Sequence, residues 1–241
     1  KKNFETHIIK KKMKIKIVKD SNRLTGDLSK KTCLVIDVFR ATTTIPFLLN
    51  NNIKTLFISD GYQNINQNWL NNKNYILFSD KKLRKNFDNS PFEALFNDFG
   101  FKNIILISKN GTKVINKLRE AHNVYCGSFV NFFAMIQYLK KKKLKELLIF
   151  PVGNTITKKE NLEDNVCAFA YKEFLKKKKF EIKKINKKIQ KAIRKRITFK
   201  ATNKQKEMKL YMDLIISSKI NLTDTIPIIK FKKKYIICEK I

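Results

Sequence analysis

Thr32-Cys33-Leu34-Val35-Ile36-Asp37-Val38-Phe39 runs without a break into Arg40-Ala41-Thr42-Thr43-Thr44. The apolar run from Cys33 to Ile36 has no polar alternation, so it reads as a strand buried on both faces, as in a parallel sheet covered by helices. Similar runs follow it: KTLFI (54–58), NYILF (74–78), NIILIS (103–108), NVYC (123–126) and ELLIFPV (146–152). Helical stretches are expected after Arg40, at 65–70, and after Ser90, Gly111, Ser128 and Leu162. Short apolar strands alternating with helices predict βαβ units and an α/β fold with a mostly parallel sheet. Met13 opens MKIKIVKD, a first strand, and IPIIKFKKKYIIC (226–238) reads as a terminal hairpin turning near Lys233. Residues 1–12 are set aside as an extension or tail, and 13–241 are taken as one α/β body.

The 241 residues are 43% hydrophobic, enough for a core, and carry a net charge of +33. That charge would suit a nucleic-acid partner. However, 47 of the 53 basic residues are Lys and 6 are Arg, beside 25 Asn and 6 Gly. Nucleic-acid readers favour the planar fork of Arg, so A/T-rich codon drift is the preferred account and nucleic-acid binding the less favoured one. The charge is densest at 176–209, where sixteen basic residues meet Glu181 and Glu207. Within it, Ile182, Ile185, Ile189, Ile193 and Ile197 mark an amphipathic helix with a solvated basic face. Cys33, Cys126, Cys167 and Cys238 are far apart and form no CxxC, which favours free thiols over disulfides or zinc. No apolar run approaches the roughly 18 residues of a membrane span. The expectation is a soluble, cytoplasmic protein without a membrane partner, and a homo-oligomer stays open.

Ligands of open α/β sheets gather where strands end and helices begin. Five such places here are polar. Asp37 to Thr44 combines an acid, an arginine and three hydroxyls, a set suited to Mg²⁺ and phosphate. Asp88-Asn89-Ser90-Pro91-Phe92-Glu93 is a capping box with proline at the first helical position. Lys109-Asn110-Gly111-Thr112 offers a glycine where main-chain N–H groups can approach an anion. Gly127-Ser128-Phe129-Val130-Asn131 gives Ser128 as a helix cap, and Glu163-Asp164-Asn165-Val166-Cys167-Ala168 puts acids in a first helical turn. The start LVIDVFRATT shares its strand-end Asp with haloacid-dehalogenase phosphatases, but Phe39 stands where their second Asp is needed. No Cys-x5-Arg and no GxxxxGK[ST] is present.

In that order, DVFRATTTI, NSPFEA, NGT, GSFVN and LEDNVCA resemble the 2-phosphosulfolactate phosphatase family, from about Met13 to Cys238 and including Asp213 and DTIPII. The chain departs from the family pattern at Ser79-Asp80-Lys81, at Asp88 and Lys109, at Phe169 and around Asn203. The resemblance implies a layered α/β/α fold and a Mg²⁺-dependent phosphatase. Its reaction would convert 2-phosphosulfolactate to 3-sulfolactate and phosphate, an early step toward coenzyme M. The partner so implied is a small anionic organophosphate. The expected catalytic residues are Asp37, Arg40 and Asp164, with Mg²⁺ on Asp37, Glu163, Asp164 and Asp80. Thr42, Thr43, Asn89, Ser90, Asn110, Gly111, Thr112, Ser128 and Asn131 are expected to hold the substrate. Metal-activated water and covalent attack by Asp37 both stay open, as does an inactive, drifted relative.

Overall fold

The computed structural model describes residues 13–21, 26–80, 87–153, 160–176, 182–197 and 204–241. The N-terminal extension, Lys81, Glu181, Asn203 and the side chains of Ile182, Ile193 and Ile197 lie outside the described residues.

Among the described residues, nine strands form one sheet: β1 (Lys14–Ile17), β2 (Thr32–Ile36), β3 (Thr55–Ser59), β4 (Tyr75–Ser79), β5 (Asn103–Ile107), β6 (Asn123–Cys126), β7 (Glu146–Pro151), β8 (Pro227–Phe231) and β9 (Ile236–Lys240). The helices are α1 (Ala41–Asn50), α2 (Gln67–Leu70), α3 (Pro91–Phe96), α4 (Gly111–Lys117), α5 (Phe132–Lys141), α6 (Leu162–Lys176), α7 (Ile182–Ile197) and α8 (Lys204–Ser218). The sheet order is β1-β7-β2-β6-β8-β9-β3-β5-β4. β1, β7, β2 and β6 are parallel, as are β3, β5 and β4. The terminal hairpin joins these halves through antiparallel ladders to β6 and β3. It therefore lies in the middle of the sheet, and the fold is a layered α/β/α with a mostly parallel sheet.

Strand β2 is buried at all five positions. Cys33 and Val35 enter one core with α1 and α4 residues such as Ile45, Leu48, Val114 and Ile115. Leu34 and Ile36 enter the opposite core with Phe132, Ile136, Cys167 and Tyr171. Alternate side chains of one strand thus serve two faces, which is why its run is continuously apolar. β2 stops at Ile36, short of the expected Phe39, because the Asp37 N–H leaves the ladder and donates to Thr42 Oγ1 at 2.9 Å.

Helix α7 buries Ile185, Ile189 and Ala192 and exposes Lys183, Lys184, Lys187, Lys188 and Lys191, so this part of the basic stretch is a solvated face over an apolar seam. Helix α8 packs against both α3 and α7 and so reaches from one helical layer to the other. All four cysteines are buried and free. Among the described residues, no helix is long and apolar enough to cross a membrane.

Candidate functional site

The site is built at the carboxyl ends of β2, β4, β5, β6 and β7. Its centre is Asp37, 4% exposed at the end of β2. The loop that carries it is fixed by threonines. Thr42 Oγ1 donates to the Gly127 carbonyl at 2.8 Å, Thr43 Oγ1 to the Val38 carbonyl at 2.7 Å, and Thr44 Oγ1 to the Arg40 carbonyl at 3.1 Å. The hydroxyl protons of Thr42 and Thr43, expected to meet substrate, are instead committed to main-chain carbonyls. Thr112 does likewise, donating to the Ser108 carbonyl. These hydroxyls hold the loops that carry Asp37 and Ser108.

Gly111, the first residue of α4, lies directly against the Asp37 side chain. A Cβ at Gly111 would stand 2.6 Å from Asp37 Oδ2 and 3.1 Å from the Ala41 Cβ. Only glycine admits that approach. Ser108 Oγ accepts the Gly111 N–H at 3.2 Å and the Asn110 N–H at 3.4 Å, and lies 3.5 Å from Asp37 Oδ2. We expect Gly111→Ala to push the Asp37 carboxylate aside, at about 1–3 kcal/mol of overpacking, offset by about 1 kcal/mol of better helix propensity. Turnover should fall by about 100-fold, as a misplacement near 1 Å can cause, while the melting temperature stays close to that of the parent protein. Unchanged turnover would contradict this placement of Asp37.

Glu163 and Asp164, at the start of α6, are buried beside the same loop. Asp164 accepts the Val38 N–H at 2.8 Å, the Gly153 N–H at 3.1 Å and the Asn161 side-chain amide at 3.1 Å. Burial first, then the carboxylates of Asp37 and Glu163, push the Asp164 carboxyl well above the usual range. Three acids near one another, one of them raised by burial and then by the other two, are donors a cation would stabilise. Among the described residues, no three or more His, Cys, Asp or Glu side chains converge as a ready metal cage. The donors therefore fit a cation held by one or two carboxylates with water in the remaining positions, as Mg²⁺ often is.

Asp80 is drawn to a different neighbour. Its Oδ1 receives Arg40 Nη2 at 3.2 Å, and its Oδ2 receives the Lys109 N–H at 3.4 Å. Arg40 also bonds Asp213 Oδ2 through Nη1 at 2.9 Å and Asp88 Oδ1 through Nη2 at 3.1 Å. Burial works to lower the Arg40 pKa, but Asp88 foremost, then Asp213 and Asp80, hold the guanidinium more firmly protonated than usual. Asp213, on α8, is fully buried and also accepts Ser90 Oγ at 2.6 Å and the Phe92 N–H at 3.1 Å. Burial raises its carboxyl, and Arg40 and Ser90 oppose that rise.

Ser90 caps α3 as expected, its Oγ accepting the Glu93 N–H at 3.1 Å. The return bond of the capping box is displaced, since Glu93 Oε2 accepts the N–H of Asp88 at 2.7 Å and not that of Ser90. Asn89 is 1% exposed, and its Oδ1 is buried without a hydrogen-bond donor. Ser128 is not the cap of α5. That helix starts at Phe132 with Asn131 at its N-cap, because Ser128 N–H and Oγ both turn toward Asn131 Oδ1. Asn131 Nδ2 donates to the carbonyls of Cys126 and Thr225, tying this turn to the segment before β8. Ser128 and Asn131 are thus engaged within the fold. Asn110 is half-buried at the N-cap of α4.

A family model described as 2-phosphosulpholactate phosphatase matches residues 18–232, a span that holds every one of these loops. The chain belongs to that family. Among relatives named "Probable 2-phosphosulfolactate phosphatase", the Prochlorococcus marinus protein is 32% identical over 60% of this chain and 61% of its own length. The Thermoplasma volcanium protein is 30% identical over 61% of this chain and 69% of its own. The Clostridium perfringens protein is 27% identical over 73% of this chain and 74% of its own. The match therefore spans roughly three fifths to three quarters of each relative.

Within this family member, Ser108, a lone serine after β5, lacked a local sequence signal, and Asp213, an acid inside a helix, stood out only through the family resemblance. Cys167 is fully buried, and burial, then Asp164, push its thiol well above the usual range. A neutral, buried thiol is a poor nucleophile, so Cys167 serves as a small core residue. His122 is exposed, and His7 lies outside the described residues.

Proposed function

We propose that this protein is a Mg²⁺-dependent phosphatase that hydrolyses 2-phosphosulfolactate to 3-sulfolactate and phosphate. The observation that carries the reading is the close seat of Gly111 on Asp37, which brings the β2 and β5 loops of the family pattern together at one buried carboxylate. A ligand there meets two regions. The acidic one is Asp37 with Glu163 and Asp164, of which one or two carboxylates would hold Mg²⁺ with water completing its shell. That ion would supply charge neutralisation to the phosphate oxygens during in-line transfer. The other region is Arg40, whose guanidinium has five N–H groups and gives three of them to Asp213, Asp80 and Asp88. A remaining N–H would orient an oxygen of the substrate through a charge-assisted hydrogen bond. Asn89 Oδ1, buried and lacking a donor, would accept one from bound ligand or its water. Ser108 and the N–H groups of Asn110 and Gly111 would keep the Asp37 carboxylate in a single position.

Phosphate release from 2-phosphosulfolactate beside other phosphomonoesters tests the substrate. We expect kcat/KM for 2-phosphosulfolactate to exceed the others by about 100-fold or more, about 2.7 kcal/mol of differential transition-state binding. Equal turnover of all the esters would contradict the assignment.

A further inference from the structure

Arg40 is surrounded by three carboxylates that differ in exposure: Asp213 is fully buried, Asp80 is 25% exposed and Asp88 is 39% exposed. Asp88 is also the one that touches a second cation. Its Oδ1 lies 3.1 Å from Arg40 Nη2, and its Oδ2 lies 3.7 Å from Lys209 Nζ. Lys209 comes from α8 and also pairs with Glu93. The main chain of Asp88 is anchored by its N–H, given to Glu93 Oε2 at 2.7 Å, while its Oδ1 also accepts the Asn89 N–H at 3.1 Å, so an oxyanion that displaced the side chain would meet that N–H as a further donor. One oxygen on a guanidinium and another near an ammonium is the arrangement by which a protein grips a tetrahedral oxyanion.

We propose that the Asp88 carboxylate is a built-in occupant of an oxyanion slot between Arg40 and Lys209, and that a sulfonate or phosphate group of the ligand enters by displacing it. This deepens the phosphatase reading, on which the identity of the natural ligand rests; the slot itself follows from the contacts. The charge balance supports exchange over simple addition. Among the described residues, Asp80, Asp88, Glu93 and Asp213 already place four carboxylates around two cations. An added dianion would meet strong like-charge repulsion unless one carboxylate left. Asp88, the most exposed of the three on Arg40, is the one that can leave with least desolvation to reverse.

Calorimetric titration with inorganic sulfate, a tetrahedral dianion that is not turned over, tests the slot directly. Asp88→Ala should bind sulfate about 10-fold more tightly than the parent protein, a change of about 1.4 kcal/mol. Asp88→Asn, which keeps the shape and removes the charge, should move the same way by a smaller factor. Adding Lys209→Ala to Asp88→Ala should cancel the gain. Sulfate affinity unchanged or weaker in folded Asp88→Ala and Asp88→Asn would overturn the proposal, and so would a gain that survives the loss of Lys209. None of these readings needs turnover, so they stand or fall apart from the substrate assignment. If that assignment also holds, Asp88→Ala lowers KM for 2-phosphosulfolactate by a similar factor, and an unchanged KM would place the slot outside the substrate's path.

Discussion

Asp37→Asn should leave the protein folded and remove the proposed phosphatase turnover. The substitution preserves size and the capacity to accept a hydrogen bond, and the loop is held by its own contacts: the Asp37 N–H on Thr42, Thr42 on Gly127 and Thr43 on Val38. What disappears is the negative charge at the one carboxylate that α4 packs against through a glycine. Loss of a supporting outer-shell contact at a metal site lowers activity about 10–100-fold, and loss of the central carboxylate should exceed that range. The neighbouring acid would respond as well. After burial, the Asp37 carboxylate does most to raise Asp164. A neutral Asn at 37 therefore removes repulsion and can even stabilise the fold while activity is lost. Steady-state kinetics paired with thermal melting separate these effects, and near-parental turnover in a folded variant would mean that the acidic pocket is not the reaction centre.

Asp213→Ala acts in the opposite sense, mainly on stability. The fully buried carboxylate receives Arg40, Ser90 and the main-chain N–H of Phe92. Truncation leaves three donors without their acceptor and strips the guanidinium of its most buried partner. Breaking a buried pair from one side costs about 3–5 kcal/mol, a large part of the roughly 5–15 kcal/mol that keeps a domain folded. Urea unfolding should show a lower midpoint at an unchanged slope. The second variant Asp213→Asn keeps one acceptor oxygen and should lose less. A shift under about 1 kcal/mol for Asp213→Ala would mean that Arg40 is held by Asp80 and Asp88 alone.

The two variants divide the site by what the sequence could reveal. Asp37 was legible because an acid closes an apolar run, and the burial of β2 on both faces followed from the same run. The hairpin at 226–238 was legible as two strands and a turn, yet its place between β6 and β3 was not, since a local pattern carries no record of its neighbours. Asp213 forms its contacts across 173, 123 and 121 residues, and on a helix its spacing is that of any polar position. Ser128 misled as a cap because its amide and hydroxyl prefer Asn131, a competition among polar side chains that composition cannot rank. The threonines of the first loop show the same limit: hydroxyls dense enough to suggest a ligand turned out to hold the loop that presents Asp37 and Arg40.

The central claim is that this loop serves metal-dependent phosphate release. Its most direct test is inorganic phosphate production from 2-phosphosulfolactate by the purified protein, with added Mg²⁺ and again after chelation. The account predicts turnover with Mg²⁺, its loss on chelation, and its return when the ion is restored. Folded protein that releases no phosphate with Mg²⁺ present, or that releases it equally well after chelation, would contradict it.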